Sequence, residues 1–209
     1  MTITTSTPAS TATAETSDWR LRDALSACLL AAGKDKALPI LASVNVERSG
    51  RELILRGTDR YRLTIARIAL DDDDTGTDWK TTVERDDVAR LIAALPKRSR
   101  KAALPVTLSV DALGYLTLRT FDGVTTARGL DGDYPRVDNI VPTAESAVAT
   151  PNIAFNPKHL TDACKLPGLP GGGKMLPFEL HGSGRPAIIR WEHDATEYVH
   201  LLMPVRVKD

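Results

Sequence analysis

The sequence lacks the features that mark several large classes of protein. Its two cysteines, Cys28 and Cys164, are far apart, so a disulfide scaffold is not expected. No apolar run approaches the ~20 residues that a membrane span requires. Lys plus Arg and Asp plus Glu number 27 each, a balance that neither demands nor excludes a nucleic-acid partner. Residues 1–18 lack the basic start and apolar core of a signal peptide, and we expect a cytoplasmic protein.

Catalytic and metal-binding patterns are also missing. None of the four histidines has metal-ligand spacing with a cysteine. No nucleophile-elbow sequence positions a serine. The stretch "GLPGGGK" has the spacing of a phosphate-binding loop, but Met175 stands where the magnesium-binding hydroxyl would be. We therefore predict that the protein is not an enzyme and has no catalytic residue, no cofactor and no metal site.

What the chain does contain is one pattern used three times, a helix followed by short strands. The first helix is predicted over 19–33, where Leu21, Leu25 and Leu29 share one face. The second is predicted within 80–95, and Asn156 and Pro157 begin the third as N-cap and first helical residue. The predicted strands are 40–47, 52–57 and 62–70, then 106–110, 115–120 and 124–130, then 177–182, 186–192 and 197–207.

These units predict an α+β fold made of three half-domains. Residues 1–18 are expected to be a disordered arm, because they are rich in Ser, Thr and Ala. Residues 19–142 are expected to form a domain of two halves, residues 143–151 a linker, and residues 152–209 the third half. An odd number of halves leaves strand edges unpaired, so we expect another copy of the chain to cover them in a homo-oligomer.

Four segments resemble the bacterial DNA polymerase III beta subunit, the DNA sliding clamp. The stretch "LPILASVNVE…ELILRGTDRYRLTIARI" is similar to a strand and hairpin of the family's second domain, and "GLDGDYPRVDNIVP" to the segment that ends it. "IAFNPKHLTDACK" and "PAIIRWEHDATEYVHLLMPVRV" resemble a helix and the carboxyl end of the third domain. The matches follow the family's order over most of residues 19–207. No counterpart is recognised for the first domain or the first half of the third.

The resemblance implies a clamp-like repeat fold that encircles or rides DNA and tethers polymerases and repair proteins. These partners would insert a short peptide into an apolar pocket between the second and third domains. Arg62 and Arg206 would hold polar or carboxylate groups of the peptide at the rim. Arg60 stands where the family usually has Gly. By resemblance the pocket would use Leu41, Thr58, Arg60, Tyr61, Arg62, Leu63, Pro135, Ile140, Pro186, Leu201, Leu202, Met203, Pro204, Val205 and Arg206.

Contact with DNA is expected to be independent of sequence and to involve basic residues near the helices. The sharpest basic cluster is "PKRSRK", for which a solvated helix end is an equal alternative. The candidate DNA-binding residues are Arg20, Arg22, Lys34, Lys36, Lys97, Arg98, Arg100, Lys101, Lys158 and Lys165. An alternative function is a clamp-derived module that does not encircle DNA and acts as a decoy or regulator of clamp-binding proteins.

Overall fold

The computed structural model describes residues 12–71, 76–97, 102–150 and 152–206. Short 3₁₀ turns lie at Asp138–Ile140 and Ala144–Ser146. None of the helices in these ranges is long and apolar enough to cross a membrane. The elements in chain order are β1 (Thr13–Ser17), α1 (Asp18–Ala31), β2 (Ser43–Ser49), β3 (Glu52–Thr58), β4 (Arg62–Ala69), β5 (Trp79–Glu84), α2 (Arg85–Ala94), β6 (Pro105–Val110), β7 (Tyr115–Thr120), β8 (Gly123–Arg128), α3 (Pro157–Ala163), α4 (Pro170–Gly173), β9 (Ala187–His193) and β10 (Thr196–Leu202).

The first two repeats are each a strand, a helix and three more strands, and they exchange their first strands. Strand β1 pairs antiparallel with β6, which gives a four-stranded sheet of order β1-β6-β7-β8. Strand β5 pairs with β2 of the first repeat, in a six-stranded sheet of order β5-β2-β3-β4-β10-β9. The exchange ties the two halves into one domain, because each half completes the other's sheet.

Strands β1 and β5 are not predicted by the helix and strand patterns of the sequence. In β1 only the small side chains of Ala14 and Thr16 are buried, and its partner β6 lies far along the chain. The expected disordered arm is therefore corrected at residues 13–18, while residues 1–11 lie outside the described part. In β5, Trp79, Thr81 and Val83 face inward, so the segment assigned to the second helix begins as a strand.

The third repeat does not build a sheet of its own. Strand β10 pairs with β4 from Thr196↔Ile68 to Leu202↔Arg62, and β9 follows β10, so both extend the sheet of the first repeat. The strand expected at 177–182 is reduced to a single bridge between Glu179 and Ile188. The expected linker contacts this repeat, since the Val148 N–H donates to the Leu180 carbonyl at 2.7 Å.

Helix α1 packs across β3 and β4 and forms the centre of the main core. Its residues Leu21, Leu25 and Cys28 are fully buried. The approach to β3 is close, because a Cβ added at Gly57 would lie 2.0 Å from the Cys28 carbonyl oxygen. This contact explains why β3 carries a glycine where an ordinary strand residue would fit the pattern.

Two arginines join helices α1 and α2 reciprocally. The Arg22 Nη1 donates to the carbonyls of Ile92 and Leu95 at 2.6 Å each, at the end of α2. Arg85, at the start of α2, donates to the carbonyls of Leu29 and Ala32, at the end of α1. Each cation thus satisfies carbonyl groups that a helix end leaves without intrahelical partners.

The opposite face of the six-stranded sheet is covered by the segment 129–141, here called the strap. Val137 of the strap is buried in a second, smaller core. Asp138 accepts ion pairs from Arg56 at 3.1 Å and Arg67 at 3.3 Å, and the Tyr134 hydroxyl donates to the Arg56 carbonyl. The sheet-side members of this small core are Ile54, Leu63, Ile65, Ile188 and Leu201.

Candidate functional site

A groove of about 490 Å³ opens where the loop after α1, the β3–β4 hairpin and α3 come together. Its walls combine apolar side chains with several charged ones. The lining residues are Ala32, Gly33, Lys34, Asp35, Leu38, Leu41, Asp59, Arg60, Tyr61, Arg62, Lys158, His159 and Asp162.

The tip of the β3–β4 hairpin is held rigidly by its own side chains. The Thr58 hydroxyl donates to the Arg62 carbonyl at 2.7 Å, and Asp59 Oδ1 accepts the Tyr61 and Arg62 N–H groups, each at 3.0 Å. Arg60 has a φ of 78°, in the left-handed region that disfavours a residue with a Cβ. The turn therefore presents Arg60 and Tyr61 outward, toward the groove.

Tyr61 is the large exposed aromatic residue of the groove, with 65% of its surface accessible. Its ring meets the His159 ring of α3 edge-on, with 6.1 Å between the ring centroids. The Asn156 side chain caps α3 and Pro157 opens it, which places Lys158, His159 and Asp162 within its first two turns. Helix α3 thus forms the second wall of the groove.

Arg62 lies behind this wall and is buried. Its Nε donates to Asp59 at 2.9 Å and its Nη1 donates to Asp162 of α3 at 2.7 Å. Lys165 also pairs with Asp162 at 2.9 Å. Hydrogen bonds from Arg62 and Lys165 lower the pKa of Asp162 to about 2. The expected rim role of Arg62 is corrected, because its guanidinium ties the hairpin to α3.

His200 of β10 is buried behind the same cluster. Its Nδ1 lies 2.8 Å from the Thr64 hydroxyl across the β4–β10 pair. Burial, with smaller contributions from Arg62 and His159, lowers the pKa of His200 to about 3. The imidazole is therefore neutral at physiological pH and adds no charge under the groove.

The two distant stretches expected to form the pocket do meet. Leu201 pairs with Leu63 and Leu202 with Arg62, and the Met203 N–H donates to the Tyr61 carbonyl at 2.8 Å. Beyond β10, the Val205 N–H donates to the Ala154 carbonyl at 2.8 Å. The chain end therefore passes directly beside the hairpin that carries Tyr61.

The residues expected in the pocket do not all share one surface. Leu41, Arg60, Tyr61 and Arg62 line the groove, and Thr58 supports its hairpin. The others lie elsewhere. Three leucines are in the cores: Leu63 and Leu201 in the small core and Leu202 in the main core. In the strap, Pro135 lines a separate cavity of about 550 Å³, and Ile140 is exposed after the buried Val137. Of the residues around β9 and β10, Pro186, Met203 and Pro204 are half-buried, and Val205 and Arg206 are exposed.

Several groove residues were not among the expected pocket residues. Leu38, His159 and Asp162 were not singled out, although Asp162 and His159 lie in the recognised "FNPKHLTD" helix. Lys34 and Lys158 were assigned to DNA, yet they line this groove. The only available signal was the helix start at Asn156–Pro157, which fixes where α3 begins but not what it faces.

The basic residues expected to contact DNA do not form one described surface. Arg22 is engaged by the end of α2, so its expected role at phosphates is corrected. Lys36 pairs with Asp86 at 3.1 Å and Lys165 with Asp162. Arg20 is half-buried and Lys97 is exposed. Arg98, Arg100 and Lys101 lie outside the described residues.

The fold and groove define a clamp-type α+β protein, in which strand–helix–strand repeats share their sheets. Residues 16–136 match the sequence model of the DNA polymerase III beta subunit, central domain. The chain belongs to the DNA polymerase III beta subunit family.

Relatives and solved structures are similar to this chain over different extents. The beta sliding clamp of Streptomyces coelicolor is 29% identical over a 130-residue alignment, which covers 57% of this chain and 32% of that protein. The chain therefore matches about a third of the length of this curated relative. The sliding clamp of Bacillus subtilis shares the fold with a TM-score of 0.75 and 17% identity, covering 94% of this chain and 64% of that one. The Thermotoga maritima beta subunit gives a TM-score of 0.75 and 19% identity, covering 99% and 69%.

Proposed function

We propose that the protein is a non-enzymatic, sliding-clamp-type tethering factor that holds replication or repair proteins on DNA. Partner proteins insert a short peptide into the groove between the β3–β4 hairpin and α3. The observation that carries this proposal is the rigid hairpin, which presents an exposed Tyr61 over an open groove. Membership of the family supports the tethering role.

The groove suits a short peptide with apolar anchors. Leu38, Leu41 and Tyr61 offer apolar surface, and the volume of about 490 Å³ suits a few side chains. A peptide with a Gln followed by spaced Leu and Phe residues fits this description. We expect a micromolar dissociation constant, because little surface is buried and the peptide must become ordered on binding.

The test is a fluorescence-polarisation titration with such a labelled peptide. Tyr61→Ala and Leu41→Ala should each weaken binding about tenfold, since each removes apolar contact area worth about 1–3 kcal/mol. Leu113→Ala is the matched control, because Leu113 is an exposed leucine remote from the groove and should leave the affinity unchanged. Equal affinities for Tyr61→Ala, Leu41→Ala and the wild type would overturn the groove assignment.

Association with DNA is the second half of the proposal. We expect binding to duplexes of unrelated sequence with equal affinity, weakening as salt rises, because phosphate contacts carry no base information. A protein that binds the peptide but shows no affinity for DNA would instead fit a decoy or regulator of clamp-binding proteins.

A further inference from the structure

The loop between α1 and β2 forms one wall of the groove, yet it has little burial of its own. It supplies Lys34, Leu38 and Leu41 to the lining. Residues 34–39 are all exposed, and Ile40 and Leu41, near the end of the loop, are half-buried. A segment with so few buried contacts opens at low cost in free energy unless its ends are fixed. The contacts at these ends therefore decide whether this wall of the groove is ordered before a peptide binds.

Hydrogen bonds close the loop at its base. The Gly33 N–H donates to the Leu41 carbonyl at 2.7 Å, which joins the beginning of the loop to its end. The Ala42 N–H donates to the Leu38 carbonyl at 2.9 Å. A Cβ added at Gly33 would lie 3.1 Å from the Leu41 carbonyl oxygen, so the two sides of the base are in close contact. A single residue can therefore reach both sides.

Arg85, the first residue of α2, makes these contacts. Its Nη1 donates to the carbonyls of Leu29 and Ala32 at 2.8 and 3.0 Å, where α1 ends and the loop begins. Its backbone N–H donates to the Ala42 carbonyl at 3.0 Å, where the loop ends. Helix α1 has no basic residue in its last turn, so Arg85 supplies the cation that offsets the partial negative charge of this helix end. One residue thus holds both ends of the loop.

We infer that Arg85 is a positioning residue of the peptide groove, an inference that rests on the function proposed above. Arg85 is not among the residues that line the groove. By fixing the two ends of the loop, it holds Leu38 and Leu41 in their places in the lining. The peptide then meets a wall that is already ordered, and the entropic cost of ordering the loop is not subtracted from its affinity.

The test compares Arg85→Met with Arg22→Met in the titration with the labelled Gln, Leu and Phe peptide. Arg85→Met keeps the alkyl chain and the backbone N–H but removes the side-chain donors, and it should weaken binding about fivefold, because the loop must then become ordered on binding. Arg85→Lys keeps a cation near the same carbonyls and should restore part of the affinity. Circular dichroism should show every variant folded.

Arg22→Met is the matched control for a general loss of stability. Arg22 makes the same kind of bonds to the end of α2 as Arg85 makes to the end of α1. From position 22 to position 32 the helix rises about 15 Å, so Arg22 is remote from the groove. Arg22→Met should lower the thermal stability about as much as Arg85→Met does and leave the affinity for the peptide unchanged.

A double-mutant cycle shows whether Arg85 acts through the loop. Leu38→Ala should weaken binding less in the Arg85→Met background than in the wild type, because the loop contact is already impaired there. Tyr61→Ala should weaken binding by the same factor in both backgrounds, since Tyr61 belongs to the separately held hairpin. Equal effects of Leu38→Ala in the two backgrounds would overturn the inference.

The outcomes also separate this inference from the proposed function. If Tyr61→Ala weakens binding and Arg85→Met does not, the groove binds the peptide and Arg85 does not position it. If neither variant changes the affinity, the groove assignment itself is wrong. Equal losses of affinity for Arg85→Met and Arg22→Met would show a general effect of stability and overturn the inference. Should Arg85→Met fail to fold, wild-type affinity in Arg85→Lys would overturn it.

Discussion

The β3–β4 and β7–β8 hairpins occupy equivalent places in the two repeats but differ in what lies at their tips and along their last strands. The first carries Arg62, which is bonded to Asp59 and Asp162, and its strand β4 is covered by β10. The second ends in an exposed Phe121, and its strand β8 is bare along the described chain. The same hairpin is therefore fixed by β10 and α3 in the first repeat, where it shapes a groove, whereas in the second repeat its last strand is the outermost strand of the sheet.

The largest difference between the hairpins should appear when their arginines are removed. Arg62→Ala leaves the partly buried Asp59 without its cation and Asp162 with Lys165 alone, and we expect the free energy of unfolding to fall by about 3 kcal/mol. Arg119→Ala removes an exposed arginine from the second hairpin and should change it by less than about 0.5 kcal/mol. Urea denaturation at one protein concentration measures both. If the two variants lose similar amounts of unfolding free energy, Arg62 does not stabilise the first hairpin more than Arg119 stabilises the second.

A smaller effect should appear as a pH dependence of the ion pairs that join α3 to the first hairpin. The pKa of Asp162 is held at about 2, below its ordinary 3.8, by hydrogen bonds from Arg62 and Lys165. A carboxyl with a lowered folded-state pKa stabilises the fold above its unfolded pKa, and this contribution disappears as the pH falls from about 4 to about 2. Partial exposure to solvent limits it to about 1–2 kcal/mol.

The measurement is the difference in unfolding free energy between the wild type and Asp162→Asn, followed from neutral to acid pH. The difference should shrink as the pH falls, because protonation removes the charge that the substitution has already removed. Asp133→Asn, at an exposed carboxylate without an ion pair among the described residues, is the matched control. A difference that stays constant with pH for Asp162→Asn would show that its ion pairs do not stabilise the fold.

The sequence predicts most strands from their alternating pattern, but it misses β1, whose inward residues are small, and β5, whose Trp79 and Val83 directly precede the helical pattern of α2. Alternating Leu and Ile residues predict β3 and β4, whereas Ala14 and Thr16 give β1 no such signal. The meeting of the hairpin with the chain end was predicted from the order of the matched segments. The ion pair between Arg62 and Asp162 was not, because its partners are 100 residues apart and depend on how α3 docks. Lys34 and Lys158 are predicted to contact DNA for the same reason, because the sequence does not show that α3 docks beside the loop after α1.

The charges left in the groove suggest a preference among peptides. Asp59 and Asp162 are neutralised by Arg62 and Lys165. Lys34, Arg60 and Lys158 line the groove and have no ion pair among the described residues, and against these three cations the lining has one further carboxylate, Asp35. The groove therefore has excess positive charge, and a peptide with an acidic residue beside its apolar anchors should bind more tightly. Arg60 is the cation at the tip of the first hairpin.

The smallest expected effect is that of Arg60→Gly, which separates backbone strain from charge. Glycine adopts a φ of 78° without the steric cost of a Cβ, so the free energy of unfolding should rise by about 0.5 kcal/mol despite the added freedom of the unfolded chain. Loss of the guanidinium should weaken binding of an acidic peptide about threefold, the range of an exposed ion pair, and leave a neutral peptide unchanged. Arg60→Ser keeps a Cβ at this φ, so it should lose the same affinity without the gain in stability. If the acidic and neutral peptides bind the wild type equally tightly, Arg60 does not select the peptide. If neither peptide binds, the groove is not the peptide-binding site.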